Sequence, residues 1–247
     1  MNQDQSSISP QTERTVGEKA IETRYVGYCD ILGFSNRILS DFENTLEAYK
    51  EFGELLSSLP SKGVELTMYS DAVLVTSDSL APVLSVVQNL WFCALVHDLM
   101  LRGAITVGKY WELRKGNHML VASDALARAV MLERSVGIPA VVISDDIEIP
   151  DALWTLRFVS GPFGTPVLHF RDRNIVNPFN YMWGVSAHDR VSRLMNASPA
   201  HKDKYLWFLS LYEAVRNGRE LIPAEVFARF VREGILKPRP TQPNQEF

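Results

Sequence analysis

The order of elements between residues 23 and 110 constrains this chain more than any other feature. A strand pattern from Thr23 to Ile31, carried by Tyr25, Val26, Tyr28 and Cys29, precedes a helical pattern from Phe34 to Leu59. In that second stretch Ile38, Leu39, Phe42, Leu46, Tyr49 and Phe52 recur at helical spacing. Two short strands, Val64 to Tyr69 and Ala72 to Thr76, are separated only by Ser70-Asp71, the spacing of a tight hairpin. A second helix, read from Pro82 to Leu101 with Asp78 or Ser79 as its cap, leads into a strand from Gly103 to Tyr110. The resulting βαββαβ order is the split unit of a ferredoxin-like sheet with helices on one face. The predicted fold class is α+β, a ferredoxin-like βαββαβ core with additional strands and C-terminal helices.

That topology dictates a meeting of side chains. The first strand of such a sheet lies antiparallel to the third, so its C-terminal end sits beside the hairpin turn that opens the third. Asp30 and Asp71 are therefore expected to be neighbours. Both are expected near Leu32-Gly33-Phe34-Ser35, where the chain turns into a helix and leaves backbone N–H groups free to meet an anion. Two carboxylates at one edge repel unless they are protonated or bridged, and a hard divalent cation with oxygen ligands, Mg²⁺ or Mn²⁺, resolves the conflict. Two such ions suit an in-line displacement at phosphorus, which makes a nucleoside triphosphate the expected substrate.

Bulk properties exclude other classes. With 247 residues, 46% apolar and 22% charged, the chain is long enough to bury a full core. Its net charge of -4 and the interleaving of Lys and Arg with Asp and Glu leave no footprint for long nucleic acid. Cys29 and Cys93 are too few for a disulfide framework and suit a reducing cytosol. The apolar stretch from Pro82 to Leu101 carries Ser85, Gln88, Asn89, His97 and Asp98, so it reads as a buried helix rather than a bilayer span. Residues 1–19 read as a disordered lead, 20–236 as one domain with a C-terminal helical extension, and 237–247 as a flexible tail. Beyond Asp145, strands are expected at Leu156 to Val159 and Pro166 to Phe170, and amphipathic helices at Ala200 to Asn217 and Pro223 to Glu233. The five histidines, His97, His118, His169, His188 and His201, have no ligand spacing and read as structural or surface residues.

Three segments resemble class III nucleotidyl cyclases. Tyr28-Cys29-Asp30-Ile31-Leu32-Gly33-Phe34-Ser35 resembles the first metal motif of that family, and Met68-Tyr69-Ser70-Asp71 resembles the second. Leu101-Arg102-Gly103-Ala104-Ile105-Thr106-Val107-Gly108 is similar to the strand whose Arg faces the polyphosphate. Within the superfamily the likeness is to the bacterial pyrimidine cyclases of Pycsar antiphage systems. It is carried by Ser123-Asp124-Ala125-Leu126-Ala127-Arg128-Ala129-Val130-Met131-Leu132-Glu133, and by Ile138-Pro139 before Val141-Val142-Ile143-Ser144. The resemblance implies two divalent cations, Mn²⁺ or Mg²⁺, held by Asp30, Ile31 and Asp71, and substrate contacts from Gly33, Phe34, Ser35, Thr67 and Arg102. It also implies a cytoplasmic homodimer with active sites at the interface, and a cyclic-nucleotide-responsive effector downstream.

The departures from the family pattern carry information too. Four residues before the second metal Asp, purine cyclases place a Lys or Glu that reads the base; here the residue is Thr67. A short hydroxyl argues for a pyrimidine, with UTP favoured over CTP on family frequency. Where the family helix carries Asn and Arg, alignment on Glu133 gives Ala127 and Met131; a shift of three residues gives Asp124 and Arg128 at i, i+4, making Arg128 the candidate for stabilising charge on the α-phosphate. Blander readings stand beside these: Asp30 as a strand end, Gly33 as a turn, Asp71 as a hairpin residue, and Arg102 as a cap on the preceding helix. Two other functional readings remain, a catalytically degenerate nucleotide-binding domain and another palm-like nucleotidyl transferase.

Overall fold

The computed structural model describes residues 17–18, 20–58, 62–115, 118–160, 164–179, 184–197, 201–217 and 221–237. Among them the βαββαβ core takes the predicted order. Strand β2, Glu22–Ile31, is followed by helices α1, Phe34–Ser40, and α2, Phe42–Ser57. The hairpin β3, Glu65–Tyr69, and β4, Ala72–Ser77, leads to helix α3, Leu80–Val96, and strand β5, Leu101–Lys115. The sheet order β3-β4-β2-β5 is that of a ferredoxin-like unit, and β2 lies antiparallel to both β4 and β5.

The sheet extends on either side of this core. Strand β1, Gly17–Glu18, and strand β6, His118–Ser123, both pair with β5. Strand β7, Val141–Ile143, runs parallel to β5, and a hairpin of β8, Val167–Phe170, and β9, Arg173–Val176, continues the sheet. Strand β1 falls within the expected lead; the rest of 1–19 and residues 238–247 of the expected tail lie outside the described residues. The remaining helices are α4, Asp124–Val136; α5, Asp151–Ser160; α6, Gly184–Ala197; α7, Lys202–Arg216; and α8, Ala224–Arg232.

Helices cover both faces of the sheet. A Cβ built on Gly27 of β2 would meet Val83 and Val87 of α3, whereas Thr106 of β5 donates its hydroxyl to the Ala125 carbonyl of α4 at 2.7 Å. Gly27 pairs with Ile105, so Thr106, one residue on, points to the opposite face. The helices of the split unit thus share one face, and α4 takes the other, where Val26, Tyr110 and Ala125 form a small core of their own. The main core lies on the α3 side, around Trp91, Phe52 and Phe208.

Several expectations need correction. The long helix read over Phe34 to Leu59 is two helices, because the Asp41 side chain accepts from the Asn44 N–H and starts α2 afresh. The strand expected at Leu156 to Val159 is the second half of α5, whose buried anchor is Trp154. Helix α3 ends at Val96 rather than Leu101, and β5 runs past Tyr110 to Lys115. Strands β6 and β9 and helix α6 had no sequence reading. No helix among the described residues is long and apolar enough to cross a membrane. Polar residues within and after α3 have partners inside the fold: Gln88 donates to the Asn177 carbonyl at 3.2 Å, and His97 lies 2.8 Å from Glu51.

Gly103 holds the centre of the sheet, paired with Cys29 on one side and Val141 on the other. A Cβ there would overlap the Tyr28 carbonyl oxygen, a backbone atom that yields only if two strands separate. Gly103→Ala is expected to lose about 1–3 kcal/mol of stability, read as a lower midpoint in urea unfolding with an unchanged slope.

Candidate active site

The two acidic residues singled out in the sequence are neighbours where β2 ends. Asp30 is the last residue of β2 to pair with β4, opposite Ala72, and the next residue, Ile31, donates its N–H to the Asp71 carbonyl at 2.9 Å. Asp71 therefore opens β4 directly beside the end of β2, and its charge acts on Asp30 and on the Tyr28 and Tyr49 hydroxyls. Ile31 itself is buried, so its main chain is what it can offer a ligand.

The hairpin tip is fixed from two directions. Ser70 takes a left-handed φ of 53°, a conformation that costs a non-glycine residue about 1–2 kcal/mol. Its carbonyl accepts a hydrogen bond from the Tyr49 hydroxyl of α2, and the Tyr49 ring packs on Phe34 with centroids 5.0 Å apart. Phe34 is the first residue of α1, immediately after Gly33, whose φ of 74° makes the turn. The turn after β2 and the hairpin tip carrying Asp71 are thus tied through one tyrosine. Tyr49→Phe is expected to cost about 1 kcal/mol by urea unfolding, with the ring packing retained.

Arg102 organises the acidic cluster. It pairs with Asp30 across the β2–β5 ladder and puts Nε and Nη2 each 2.8 Å from Asp30 Oδ2. This placement answers the alternative that Arg102 caps a helix: its partners are carboxylates. Glu133, near the end of α4, brings Oε1 to 2.9 Å from Arg102 Nε. Distance alone would make this a hydrogen bond, but the Nε–H is directed at Asp30, and Glu133 Oε1 is buried without a hydrogen-bond partner. The Asp30 side chain is 13% exposed and that of Glu133 4%, so burial raises the proton affinity of both, opposed by the nearby guanidinium. Burial also pushes the adjacent Cys29 thiol up to about 12, which leaves it without nucleophilic character at neutral pH.

Two further residues reach this cluster from the C-terminal part of the chain. His201, at the N-cap of α7, places Nε2 3.3 Å from where a Cβ on Gly33 would stand. Lys204, in the first turn of α7, is half-buried and interacts electrostatically with Arg102, Glu133 and Asp30; burial and the neighbouring guanidinium lower its proton affinity. Beside them a cavity of about 450 Å³ opens between α1, α2 and the C-terminal helices, lined in part by Gly33, Asn36, Arg37, Asn44, His201 and Tyr205.

Not every predicted residue joins the cluster. Thr67 lies mid-way along β3, half-buried and paired with Leu74. Asp124 and Arg128 do share one face of α4: a Cβ on Gly108 would overlap Asp124 Oδ1 and stand 2.7 Å from Arg128 Nη2. Arg128 pairs with Asp146 at 2.6 Å and donates to the Val107 carbonyl, five residues along β5 from Arg102. At the rise of a strand that is roughly 17 Å, so one chain does not bring Arg128 to its own Asp30.

Glu133, Lys204 and His201 are the residues that sequence reasoning missed. Glu133 was the anchor of a helix alignment and could have been weighed as a carboxylate beside Arg102. Lys204 carried no local signal, because Asp30, Arg102 and Glu133 all lie far from it in sequence.

The donors at this edge, the Asp30 and Asp71 carboxylates and the Ile31 main chain, are oxygen ligands of the kind a hard divalent cation takes. No group of three or more His, Cys, Asp or Glu side chains is arranged as a metal cage among the described residues. Two carboxylates beside a turn with free N–H groups match the way Mg²⁺ is usually held, by one or two acids together with substrate phosphates.

No family model and no curated protein matches this sequence. Among solved structures, the chain is similar to a bacterial light-regulated adenylyl cyclase, at 14% identity and a TM-score of 0.42 over 53% of this chain and 44% of that one. It is similar to the adenylyl cyclase CyaB from P. aeruginosa, at 15% identity and 0.41 over 54% of this chain and 80% of that one. It is also similar to a class III adenylyl cyclase-like ATP-binding protein from Pseudomonas aeruginosa, at 11% identity and 0.45 over 68% of this chain and 40% of that one. The chain thus spans less than half the length of the light-regulated enzyme, and likenesses this distant assign neither substrate nor residue roles.

Proposed function

We propose that residues 20–236 form one nucleotidyl cyclase domain, which converts a nucleoside triphosphate to its 3′,5′-cyclic monophosphate and pyrophosphate. The observation that carries this reading is the Ile31 N–H to Asp71 carbonyl bond, which seats Asp71 beside Asp30 at the foot of the anion-binding turn. In the reaction the ribose 3′-oxygen bonds to the α-phosphorus and the bond to the bridging oxygen breaks. The electron pair leaves with pyrophosphate and the hydroxyl proton passes to solvent. Asp30, Asp71 and the Ile31 main chain hold Mn²⁺ or Mg²⁺, which when bound supplies charge neutralisation for the phosphates and a lower pKa for the attacking hydroxyl. Gly33, Phe34 and Ser35 offer backbone N–H groups to the phosphates, and Arg102, released from Asp30, turns its guanidinium to them.

Thr67 supports a pyrimidine substrate, UTP favoured, because a hydroxyl replaces the long charged side chain that reads a purine. Arg128, remote from the Asp30 of its own chain, serves the site of a second copy in a homodimer and stabilises charge on the α-phosphate. The cellular role that goes with this assignment is a cytoplasmic signal generator of antiphage defence, its cyclic nucleotide read by a separate effector.

Two observations favour a second reading, a nucleotide-binding domain without turnover: Arg102 already occupies Asp30, and Ala127 and Met131 stand exposed on α4 without catalytic groups. Product formation separates the two. The purified protein is incubated with each of the four ribonucleoside triphosphates and Mn²⁺, and products are identified by mass spectrometry. Cyclic UMP with pyrophosphate is the expected result. Cyclic AMP as the main product would overturn the argument from Thr67, and no cyclic product from any triphosphate would overturn turnover itself.

A further inference from the structure

The N-terminal turn of α7 is set against the residues of the candidate site, although nothing in the sequence links them. His201 Nε2 lies 3.3 Å from the position of a Gly33 Cβ, so any larger residue at 33 would press on α7. Tyr205, buried, lines the same cavity as Leu32 and Gly33 and fixes the helix one residue beyond Lys204. Lys204 thus comes from the first turn of a helix whose cap touches the anion-binding turn, and its ammonium interacts with Asp30, Glu133 and Arg102 together. Helix α7 cannot drift from this place without cost, because Phe208, one turn further on, is sealed between Trp91 and Phe179.

Charge balance shows what this lysine is suited to do. Asp30 and Glu133 share Arg102 and Lys204 as neighbouring cations, and the exposed Arg134 acts on Glu133 as well. A triphosphate carries about four negative charges, and two divalent ions together with Arg102 do not offset that load and the three acids. A second fixed cation reduces the deficit. Glu133 Oε1 is buried without a hydrogen-bond donor, an open acceptor within electrostatic reach of the Lys204 ammonium. A lysine is a compact charge on a flexible stem, able to swing from a carboxylate to a phosphate without moving its helix.

We infer that Lys204 is a polyphosphate-binding residue of the candidate active site, contributed in cis by the C-terminal helical extension. The helices after the sheet are then part of the site rather than an appendage to it. This inference rests on the nucleotide reading above for its ligand but not on turnover.

The test uses the full chain and inorganic tripolyphosphate with Mn²⁺, a probe with neither base nor ribose, by isothermal titration calorimetry. Lys204→Met is expected to weaken binding tenfold or more, and Lys204→Arg to restore it to within about threefold of the wild type. Thermal unfolding of both variants separates a folding defect from a lost contact, since a residue that merely neutralises Glu133 would lower the midpoint and leave affinity alone. Lys204→Met binding within twofold of the wild type would overturn the inference and leave the cyclase reading in place. A wild-type protein that does not bind tripolyphosphate would also overturn it, and the cyclase reading would then stand or fall on its product assay.

Discussion

Asp30→Ala is expected to lower cyclic-nucleotide formation by a factor on the order of 10²–10³ or more, the loss seen when a charge-stabilising group is removed from a water-poor site. The same is expected of Asp71→Ala. In each case the fold should survive. The Asp30 side chain is bonded to Arg102, whose Nε also lies 2.9 Å from Glu133, so loss of Asp30 leaves the guanidinium with a carboxylate neighbour. The cost in stability is expected at about 1–2 kcal/mol by urea unfolding. Asp30→Asn serves as the isosteric control: it keeps the shape and one acceptor but cannot hold a divalent cation as a carboxylate does. Circular dichroism matching the wild type alongside absent product is the expected pair of results. Product at more than about a tenth of the wild-type rate from either alanine variant would remove that carboxylate from the chemistry.

Phe208→Ala is expected to have the largest effect on stability, about 3–5 kcal/mol. Phe208 is fully buried in α7, with ring centroids 5.5 Å from Trp91 and 5.2 Å from Phe179. Truncating it leaves a cavity that rings held by α3 and the segment after β9 cannot readily fill. The same ring anchors the helix that brings His201 and Lys204 to the turn at Gly33. A variant that still folds should therefore show an affinity for triphosphate lower than its remaining folded fraction explains. Chemical denaturation measures the first effect and calorimetry at low temperature the second. A loss below about 1 kcal/mol would mean that α7 is held by other contacts.

The core of the fold was legible because its signals are local and periodic. The apolar rhythm of β2, the two-residue gap at Ser70-Asp71 and the apolar run of α3 fix an order of elements, and connection rules then leave few ways to arrange it. The meeting of Asp30 with Asp71 followed from that order without any family knowledge. The break at Asp41 was hidden because the helical spacing continues through Leu39 and Phe42. Both proved exposed, 86% and 55%, so the pattern there did not report a buried face. Residues Leu156 to Val159 are a short apolar run of the kind that fits a strand or a helix equally, and the anchor Trp154 decides for the helix. Strand β6 carries Met119 and Leu120 on exposed positions, which erases the alternation that would have marked it.

The site divides along the same line. Asp30, Gly33, Asp71 and Arg102 lie on core elements whose relative placement topology dictates. Arg102 met Asp30 because the two residues are directly paired across β2 and β5. Glu133 and Lys204 arrive on helices α4 and α7, which lie far apart in sequence, and only three-dimensional packing places them. Arg128 kept its expected spacing from Asp124 on α4 yet stands apart from Asp30, because helical spacing says which residues share a face and nothing about where that face is aimed.

Asp30 and Asp71 are expected to hold a divalent cation together with the phosphates of a nucleotide. Crystals grown with Mn²⁺ and a non-cyclising nucleoside triphosphate analogue, measured at the manganese absorption edge, address it directly. The expected result is an anomalous peak within coordinating distance, about 2.0–2.3 Å, of a carboxylate oxygen from each of the two residues, with Arg102 turned toward the phosphates. A nucleotide bound elsewhere, or manganese absent from between these two carboxylates while Arg102 still grips Asp30, would contradict it.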